Sequence, residues 1–181
     1  MRLLISFRKL EERDLELVLE WRTSEHVTQY MYTDIEKDLA NQYKWFERIS
    51  NDDTQYYWII EVKNTPIGLI SLNQLDRTNK KSSFAYYIGD LNYSIIAGRI
   101  HPYLYNFAFF ELGLNKVYAE VMQENDGMMK MHKHYGFTHV ATFKDHIYKY
   151  DQFHNVEYFE LLASDWMECT KFHKFKSTFV L

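Results

Sequence analysis

Hydrophobic and polar positions in the first fifty residues predict one short strand followed by two helices. Residues 3–8 alternate weakly, as a strand does. After Asp14, a good N-cap, apolar residues recur at helical spacing, and this helix should end near residues 23–24. The second helix is predicted to begin at Asp34 and to close at residues 51–53. Its apolar face would consist of Leu39, Tyr43, Phe46 and Ile49.

Three runs of aromatic and β-branched residues follow, at residues 55–62, 67–75 and 82–88. Each run has the length of a strand, and polar turn residues separate the runs. Consecutive strands joined by short turns usually lie next to each other in a sheet. These residues therefore predict an antiparallel meander of three strands.

The next part of the chain predicts a helix followed by a buried strand. Helical spacing over residues 98–112 stops at Gly113, a residue that suits a helix C-terminus. The strand Lys116–Met122 is apolar at almost every position, and Glu120 is the polar exception. A helix between the third meander strand and this one would make a crossover connection and place its N-terminus at the end of that meander strand. An anionic cofactor would be expected there.

The last third of the chain predicts a short helix and two strands. The helix over residues 126–135 should end at Gly136. Strands at 137–144 and 156–163 would be joined by a polar turn around Asp151. Residues 164–181 show no clear period and contain clustered Lys and Phe, so the structure of this tail is left unassigned after a domain at residues 1–163, with a solvated basic tail as the default. The whole order predicts an α/β fold with a sheet of mixed strand direction.

Composition narrows the class of protein without identifying a reaction. The chain has 181 residues and a formal net charge of −4, which favours one domain and disfavours nucleic-acid and anionic-membrane partners. One cysteine and no ligand-like spacing among eight histidines predict neither a disulfide nor a metal site. No apolar run approaches the length of a membrane span, and the start becomes charged too early for a signal peptide, so we expect a cytoplasmic protein. The 15 Tyr, 13 Phe and 4 Trp favour a ligand cleft or an interface, and a homodimer is reasonable.

Two motifs resemble the GNAT family of acetyl-CoA-dependent N-acetyltransferases. The first is FAYYIGD followed, after a loop, by a helix that ends in FFELGLNKVYAEV. The second, ENDGMMKMHKHYGF, is similar to that family's Asn-x-x-small-x-x-x-Tyr-x-x-x-Gly-Phe helix, with Asn125, Gly136 and Phe137 on the pattern. The resemblance extends over residues 5 to about 163. It implies a mixed, mostly antiparallel sheet of about seven strands flanked by about four helices, with acetyl-CoA as cosubstrate and no metal.

The segment EWRTSEHVTQYMYT, residues 20–33, resembles a narrower group, the acetyltransferases of the pseudaminic-acid pathway. Those enzymes acetylate the 4-amino group of a UDP-linked 4-amino-dideoxysugar, a precursor for flagellin glycosylation. The resemblance implies that Arg22, Met31, Tyr32 and Trp45 line the acceptor side of the cleft. Met and aromatic side chains suit a deoxysugar or a uracil, and Arg22 suits a diphosphate. The alternative is that Met31 and Trp45 are ordinary core residues.

Acetyl transfer from a thioester to an amine needs a neutral amine, donors for the oxyanion and a proton for the thiolate. Glu120 is the candidate base, because a carboxylate in an apolar strand is costly unless it lines a cleft or has a partner. By resemblance, Glu120 and Ser71 hold the water or the amine. The alternatives are a solvent-facing Glu120 and a Ser71 that only fills a hydrogen bond. The oxyanion donors would be main-chain N–H groups near Tyr87 and Ile88.

His132 stands where the family commonly has its tyrosine acid, seven residues after Asn125. A histidine whose pKa is near neutral can protonate a thiolate, whereas Tyr135 lies about 300° further around the helix and suits the role less well. The alternative is a half-buried histidine with a backbone partner.

The stretch NYSIIAGRI, residues 92–100, aligns with the pyrophosphate loop of the family, whose small residues let N–H groups approach the phosphates. Ile96 occupies the first glycine's place, and Ala97 and Gly98 supply the small residues. Arg99 could meet a phosphate. A β-branched residue restricts positive φ, so this departure opens the alternative of altered acetyl-CoA binding.

Three functions follow in order of preference. The first is N-acetylation of a UDP-linked amino sugar. The second is N-acetylation of a polyamine or of a ribosomal-protein N-terminus; a polyamine site should show many carboxylates, and only Glu36 and Asp38 are at hand. The third is a GNAT-like module that binds a ligand or partner without catalysis.

Overall fold

The computed structural model describes residues 4–181. Within that range the chain forms seven strands and six α-helices. The strands are β1 (Ile5–Lys9), β2 (Tyr56–Val62), β3 (Thr65–Asp76), β4 (Lys81–Ile88), β5 (Lys116–Met122), β6 (Thr138–Lys149) and β7 (Gln152–Leu162). The helices are α1 (Leu15–Thr23), α2 (Glu25–Thr28), α3 (Leu39–Ser50), α4 (His101–Asn106), α5 (Asp126–His134) and α6 (Ala163–Glu168).

The seven strands form one sheet in the order β1-β2-β3-β4-β5-β7-β6. Every neighbouring pair is antiparallel except β4 and β5, which are parallel. This parallel pairing extends only from Lys81↔Lys116 to Ser83↔Tyr118, although β4 continues to Ile88. The two central strands therefore diverge beyond Ser83 and open a gap in the middle of the sheet.

Buried apolar side chains cover both faces of the sheet. On one face, Trp21 of α1 and Ile49 of α3 pack with Ile59 and Leu69 of the sheet. A larger cluster fills the other face. It includes Trp58, Ile70, Phe84, Leu104, Tyr105, Phe159 and Trp166. Fully burying such a side chain stabilises the fold by roughly 1.5–3 kcal/mol, so both layers hold the diverging strands in place.

Most predicted elements are confirmed. The meander of β2, β3 and β4 is antiparallel, and β5 has the predicted bounds. Gly113 and Gly136, predicted to end helices, have φ values of +64° and +88°, which residues with a Cβ rarely adopt. The first strand was predicted from Leu3, which lies outside the described residues.

The predicted start of the second helix at Asp34 is wrong, because α3 begins at Leu39 and its N-cap is Asp38. Asp38 caps α3: its carboxylate accepts hydrogen bonds from the N–H groups of Ala40 and Asn41 at 2.8 and 3.3 Å. The predicted apolar face is also displaced. Gln42 is buried whereas Tyr43 is 43% exposed.

Asp14 does not cap α1 with its side chain as predicted. Its buried carboxylate instead accepts two hydrogen bonds of 2.8 Å from Arg8 and one from the N–H of Glu11. Burial raises the pKa of Asp14, and these bonds outweigh burial, so the pKa lies below its usual range. The aspartate therefore ties β1 to the start of α1.

The crossover between β4 and β5 is less regular than one long helix. A 3₁₀ segment occupies Leu91–Arg99, α4 follows, and a π-helical turn at Phe107–Glu111 completes it. The predicted helix start at Gly98 is therefore wrong by a few residues. The crossover itself, which places this segment beside the gap, is present.

The last eighteen residues pack onto the domain, so the expectation of a solvated tail is wrong. Trp166 is fully buried, and its indole N–H donates to Asn106 Oδ1 at 2.9 Å. Phe172 and Phe179 are also buried, since both join the larger cluster. The indole N–H of Trp58 donates to the carbonyl of Val180 at 2.9 Å. Within residues 4–181, no helix is long and apolar enough to cross a membrane.

Candidate functional site

The gap between the diverging strands contains a cavity of about 260 Å³, here called the β4–β5 cavity. Residues from β4, β5, α5 and the chain around α2 line it. They include Tyr30, Met31, Tyr86, Tyr87, Ala97, Glu120, Asn125 and His132. Because β4 and β5 do not pair with each other here, backbone N–H groups of β4 that face the gap are free to bind a ligand.

A second cavity of about 590 Å³ lies between the sheet and helices α1 and α3, and is called the α1–α3 cavity. Its lining includes Arg22, Met31, Glu36, Asp38, Trp45, Tyr57, Ser71, Tyr86 and Tyr87. Met31, Ala85, Tyr86 and Tyr87 line both cavities. The two spaces therefore meet at β4, and one ligand can approach from each side.

Glu120 projects from β5 into the β4–β5 cavity. The side chain is exposed, and Oε2 accepts a hydrogen bond of 2.8 Å from the Tyr32 hydroxyl. Burial and this bond raise the pKa of Tyr32, so the phenol stays protonated and serves as a donor. Glu120 thus combines the two alternatives considered from the sequence, since it is solvent-accessible and also lines the cleft.

Ser71 is buried in β3 at the wall of the α1–α3 cavity. Its hydroxyl donates to the carbonyl of Ala85 at 3.4 Å and accepts from the amide of Asn73 at 3.0 Å. The serine is therefore already hydrogen-bonded within the sheet. It lines the α1–α3 cavity while Glu120 lines the β4–β5 cavity, and Ala85, to which Ser71 is bonded, lines both.

His132 lines the β4–β5 cavity from α5 and is 1% exposed. The rings of Phe84, Phe137 and Phe159 surround it, with centroid distances of 4.7 to 5.7 Å. Burial lowers the pKa of His132 to about 4, so the expectation of a pKa near neutral is wrong. The ring is neutral at pH 7 and can donate an N–H hydrogen bond, but it is not a charged acid. No hydrogen-bond partner for Nδ1 occurs among the described residues.

Tyr135 is not free to replace the missing tyrosine. Its hydroxyl donates to the carbonyl of Gly98, in the stretch aligned with the pyrophosphate loop. This bond ties α5 to that loop. A methyl group added at Gly98 would also lie 3.2 Å from Met131, so a small residue suits the position.

The loop accommodates its isoleucine without strain. Ile96 is buried in the larger cluster, and it is not among the described residues with positive φ. Ala97 lines the β4–β5 cavity, whereas Arg99, two residues further along the chain, is exposed. The concern that a β-branched residue would conflict with positive φ therefore does not apply here. Asn125 also lines this cavity and caps α5, because its side chain accepts from the N–H of Met128 at 3.1 Å.

Tyr87 and Ile88, predicted to offer main-chain donors, lie at the diverging end of β4. Both line the β4–β5 cavity. Tyr87 also lines the α1–α3 cavity, and its hydroxyl is fully buried without a hydrogen-bond partner among the described residues. Burial raises the pKa of Tyr87, so this hydroxyl is a protonated donor.

Arg22 and Met31, which were expected to line the acceptor side of a cleft, both line the α1–α3 cavity. The half-buried guanidinium of Arg22 donates to Thr28 Oγ1 at 3.2 Å and to the Thr33 carbonyl at 2.7 Å. Its Nε–H takes part in neither bond. Arg22 therefore holds the segment that contains Met31, in addition to facing the cavity.

Trp45 lines the α1–α3 cavity and packs edge-on against Tyr57, with ring centroids 5.2 Å apart. The indole is half-buried rather than enclosed in the core. Tyr32 does not belong to this wall and instead contacts Glu120 on the other side.

Several lining residues were not predicted. Tyr57, Asn73 and Gln42 face the α1–α3 cavity, and Tyr86 faces both cavities. An apolar strand pattern gives no sign of which aromatic residues face a cavity. Lys149 was also missed, although its ammonium bonds to the segment around Met31.

Over residues 4–181 the sheet splits at its one parallel pair, with a cavity on each side of β4 and a carboxylate in the gap, an arrangement that suits a transferase with two substrates. The chain belongs to the GNAT family: the model of the Acetyltransferase (GNAT) domain matches residues 4–138. The protein is therefore an acetyltransferase, in agreement with the named N-acetyltransferases to which the chain is similar.

Two curated relatives cover most of the chain. Acetyltransferase PseH of Campylobacter jejuni is 24% identical over 143 residues, covering 77% of this chain and 87% of that protein. This match supports the resemblance to the pseudaminic-acid group. Uncharacterized N-acetyltransferase p20 of Bacillus licheniformis is 23% identical and covers 90% of this chain and 94% of its own length.

Among solved structures, a spermidine N-acetyltransferase from Vibrio cholerae in complex with CoA and spermine superposes with a TM-score of 0.84. It is 17% identical and covers 90% of this chain and 98% of its own. At that identity the likeness concerns the fold.

Proposed function

We propose that this enzyme transfers acetyl from acetyl-CoA to the 4-amino group of a UDP-linked 4-amino-dideoxysugar, in pseudaminic-acid biosynthesis for flagellin glycosylation. One observation supports this proposal above the others. In the segment that resembles the pseudaminic-acid group, Arg22 and Met31 line the α1–α3 cavity and the Tyr32 hydroxyl donates a hydrogen bond to Glu120. The relative named Acetyltransferase PseH supports the resemblance on which this choice of acceptor rests.

The reaction forms a C–N bond and breaks a C–S bond. The amine nitrogen attacks the thioester carbonyl carbon, the nitrogen loses a proton, and the departing thiolate gains one. Glu120 would accept the amine proton, directly or through water, because it is an exposed carboxylate in the gap. Main-chain N–H groups at the free edge of β4 would stabilise the oxyanion.

The thiolate would be stabilised by His132 as a neutral hydrogen-bond donor. Since the ring is uncharged at pH 7, the proton that ends on sulfur must come from the amine or from solvent. Asn125, Ala97 and Gly98 would approach acetyl-CoA on the β4–β5 side, and Arg99 would meet a phosphate from the exposed loop.

The acceptor would occupy the α1–α3 cavity. Its volume of about 590 Å³ lies within the range of small-molecule sites, roughly 300–1,000 Å³. Trp45 and Tyr57 offer aromatic surface for a uracil or sugar face, and the guanidinium of Arg22 offers polar contacts. A guanidinium suits oxygen-rich acceptors such as a sugar diphosphate.

A polyamine is the second candidate, since a solved spermidine N-acetyltransferase shares the fold. A polycation would require carboxylates at the acceptor site, and Glu36 and Asp38 line the α1–α3 cavity. However, Asp38 already accepts three hydrogen bonds at the start of α3. With Arg22 in the same cavity, these charges favour the nucleotide sugar over spermidine.

A homodimer is a further proposal about assembly. Tyr148, Tyr150 and Phe153 are each more than half exposed at the tip of the β6–β7 hairpin. Clustered exposed aromatic residues are typical of interaction surfaces. Analytical ultracentrifugation would measure the mass in solution.

Calorimetric titration in the presence of CoA would test acceptor choice without relying on turnover. We expect the UDP-linked amino sugar to bind, and spermidine and an Ala-starting peptide to bind more weakly. Trp45→Ala should weaken sugar binding, whereas Tyr43→Ala, on the exposed side of α3, should not. Stronger binding of spermidine would assign the cavity to a polyamine.

A further inference from the structure

Lys149 has an unusual environment for a lysine at the end of a strand. Its side chain is 4% exposed, at the last position of β6. The ammonium donates to the carbonyl of Thr28 at 2.7 Å and to that of Met31 at 2.8 Å, and it pairs with Asp34 Oδ1 at 2.8 Å. An ammonium has three N–H donors, so all three are used. All three partners belong to the segment of residues 28–34.

The backbone around Lys149 is also fixed. The next two residues, Tyr150 and Asp151, have φ values of +52° and +58° and form the tight turn of the hairpin. The Lys149 carbonyl accepts a hydrogen bond of 3.0 Å from Nε2 of His154. Nδ1 of the same buried ring is 2.9 Å from Glu124, just beyond β5. The ammonium is therefore presented from a rigid hairpin tip that is bonded to the central sheet.

The 28–34 segment forms no strand, and it contains two residues of the proposed site. Met31 lines both cavities, and Tyr32 donates to Glu120. Arg22 bonds to this segment from the α1 side. Lys149 bonds to it from the hairpin side, and Thr28 Oγ1 donates to the same Asp34 oxygen at 2.7 Å.

We propose that Lys149 is a positioning residue: its buried ammonium fixes the 28–34 segment so that Met31 and Tyr32 keep their places beside the acceptor and Glu120. The proposal rests on the proposed function in placing the acceptor at this segment, but not on the identity of the acceptor. Lys149 touches no reacting atom. Its removal should impair use of the acceptor more than binding of CoA, because the CoA side involves the loop at residues 92–100 and α5.

The ammonium of Lys149 fixes this segment because its partners would lose stabilising hydrogen bonds without it. A buried lysine persists only where its charge is compensated, and here one carboxylate and two carbonyls compensate it. In Lys149→Met a similar apolar stem remains, but both carbonyls lose their donor. They would then turn toward water, and the segment would lose its fixed path.

The test compares Lys149→Met with Lys144→Met, an exposed lysine on the same strand. Hydrogen exchange should show faster exchange at residues 28–34 in Lys149→Met only. With the acceptor that the enzyme uses, kcat/KM for that acceptor should fall by about tenfold, while the Kd for CoA changes by less than about twofold. Lys149→Arg should not restore activity fully, since a planar guanidinium does not match three convergent acceptors.

Asp34→Asn provides a second variant if Lys149→Met does not fold, because Asp34 is half exposed. It should change exchange and acceptor kinetics in the same direction, to a smaller extent. Unchanged exchange at residues 28–34, or a parallel loss of CoA affinity and acceptor use, would overturn the proposal. If the enzyme acetylates none of the acceptors tested, that result would count against the proposed function. The role of Lys149 would still be decided by hydrogen exchange, because that measurement needs no acceptor.

Discussion

The hydroxyl of Tyr32 donates a hydrogen bond of 2.8 Å to Oε2 of Glu120, across 88 positions of sequence. This bond joins the segment that faces the acceptor to the carboxylate in the gap between β4 and β5. It leaves the other carboxylate oxygen outside this bond and available to a water or an amine. Tyr32 thus orients the candidate base, Glu120, whereas the sequence analysis predicted only that Tyr32 lines the acceptor side of the cleft.

Tyr32→Phe removes the donor while keeping the ring. We expect kcat to fall by about tenfold, because a hydrogen bond to a charged group contributes about 1.5–3 kcal/mol and Glu120 loses its fixed orientation. The KM for acetyl-CoA should stay within about twofold. Steady-state kinetics will show this, with Tyr43→Phe, at an exposed tyrosine of α3 that lines neither cavity, as the control. An unchanged kcat would remove the bond from the mechanism.

Glu120→Gln keeps the shape of the side chain and removes its basicity. Turnover should fall at least about tenfold, since a positioned general base commonly contributes 10²–10⁴-fold. The melting temperature should hardly change, because the carboxylate is exposed. Glu111→Gln, also exposed, serves as the control. Turnover close to wild type in Glu120→Gln would exclude this residue as the base.

His132→Phe should lower kcat by about three- to tenfold, the value of one neutral hydrogen bond to the departing sulfur. Acetyl-CoA affinity should fall less. Phe keeps an aromatic ring beside Phe137 and Phe159 and removes a buried nitrogen without a partner among the described residues, so the melting temperature should hold or rise. Stopped-flow thiol release and CoA titration will separate the two effects. Equal losses in both would mean that His132 shapes the pocket.

The pH profile tests the protonation state of His132. Because burial holds its pKa at about 4, the ring gains no proton between about pH 6 and 8. The shape of the kcat profile over that range should therefore be the same in wild type and His132→Phe. A limb near pH 6.5 that disappears in the variant would show a histidine that titrates as an acid.

His154 should give a pH-dependent contribution to stability. Its hydrogen bond to Glu124 raises the pKa of His154 in the folded state. The stabilisation is fully present below the unfolded value of about 6.5 and is lost as the pH rises through the folded value. Urea unfolding of His154→Gln should therefore show a smaller loss of stability from pH 6 to 8 than wild type. His146→Gln, on exposed β6, should retain the wild-type slope; an equal slope in both variants would contradict the assignment.

Trp166→Ala should destabilise the whole domain by about 3–5 kcal/mol, the usual cost of truncating a buried aromatic residue. Trp166 is fully buried between the crossover and the C-terminal segment. Met167→Ala, at a side chain that is 42% exposed, should cost little. Urea denaturation at neutral pH measures both. Similar midpoints for the two variants would mean that the C-terminal segment does not stabilise the fold.

The sequence predicts the sheet and misses features that depend on distant contacts. The bounds of β5 follow from a nearly continuous apolar run, and the helix stops at Gly113 and Gly136 follow from the backbone freedom of glycine. The start of α3 does not. Asp34 and Asp38 are both good N-caps, and Asp34 is instead paired with Lys149 from the far end of β6.

The candidate site, too, could be predicted only in part from the sequence. The residue types beside the gap are recognisable from motifs, since Glu120 and His132 both line the β4–β5 cavity. The neutral state of His132 arises from Phe84, Phe137 and Phe159, which lie on three different strands or their flanks. Sequence spacing gives no sign of this enclosure, and none of the bond between Tyr32 and Glu120.

Thiol release from acetyl-CoA, measured side by side with the UDP-linked 4-amino-dideoxysugar, spermidine and an Ala-starting peptide, tests the central claim most directly. We expect selective turnover of the nucleotide sugar, with Glu120→Gln slower by at least about tenfold. Turnover of spermidine or the peptide alone, or full activity of Glu120→Gln with the sugar, would contradict the account.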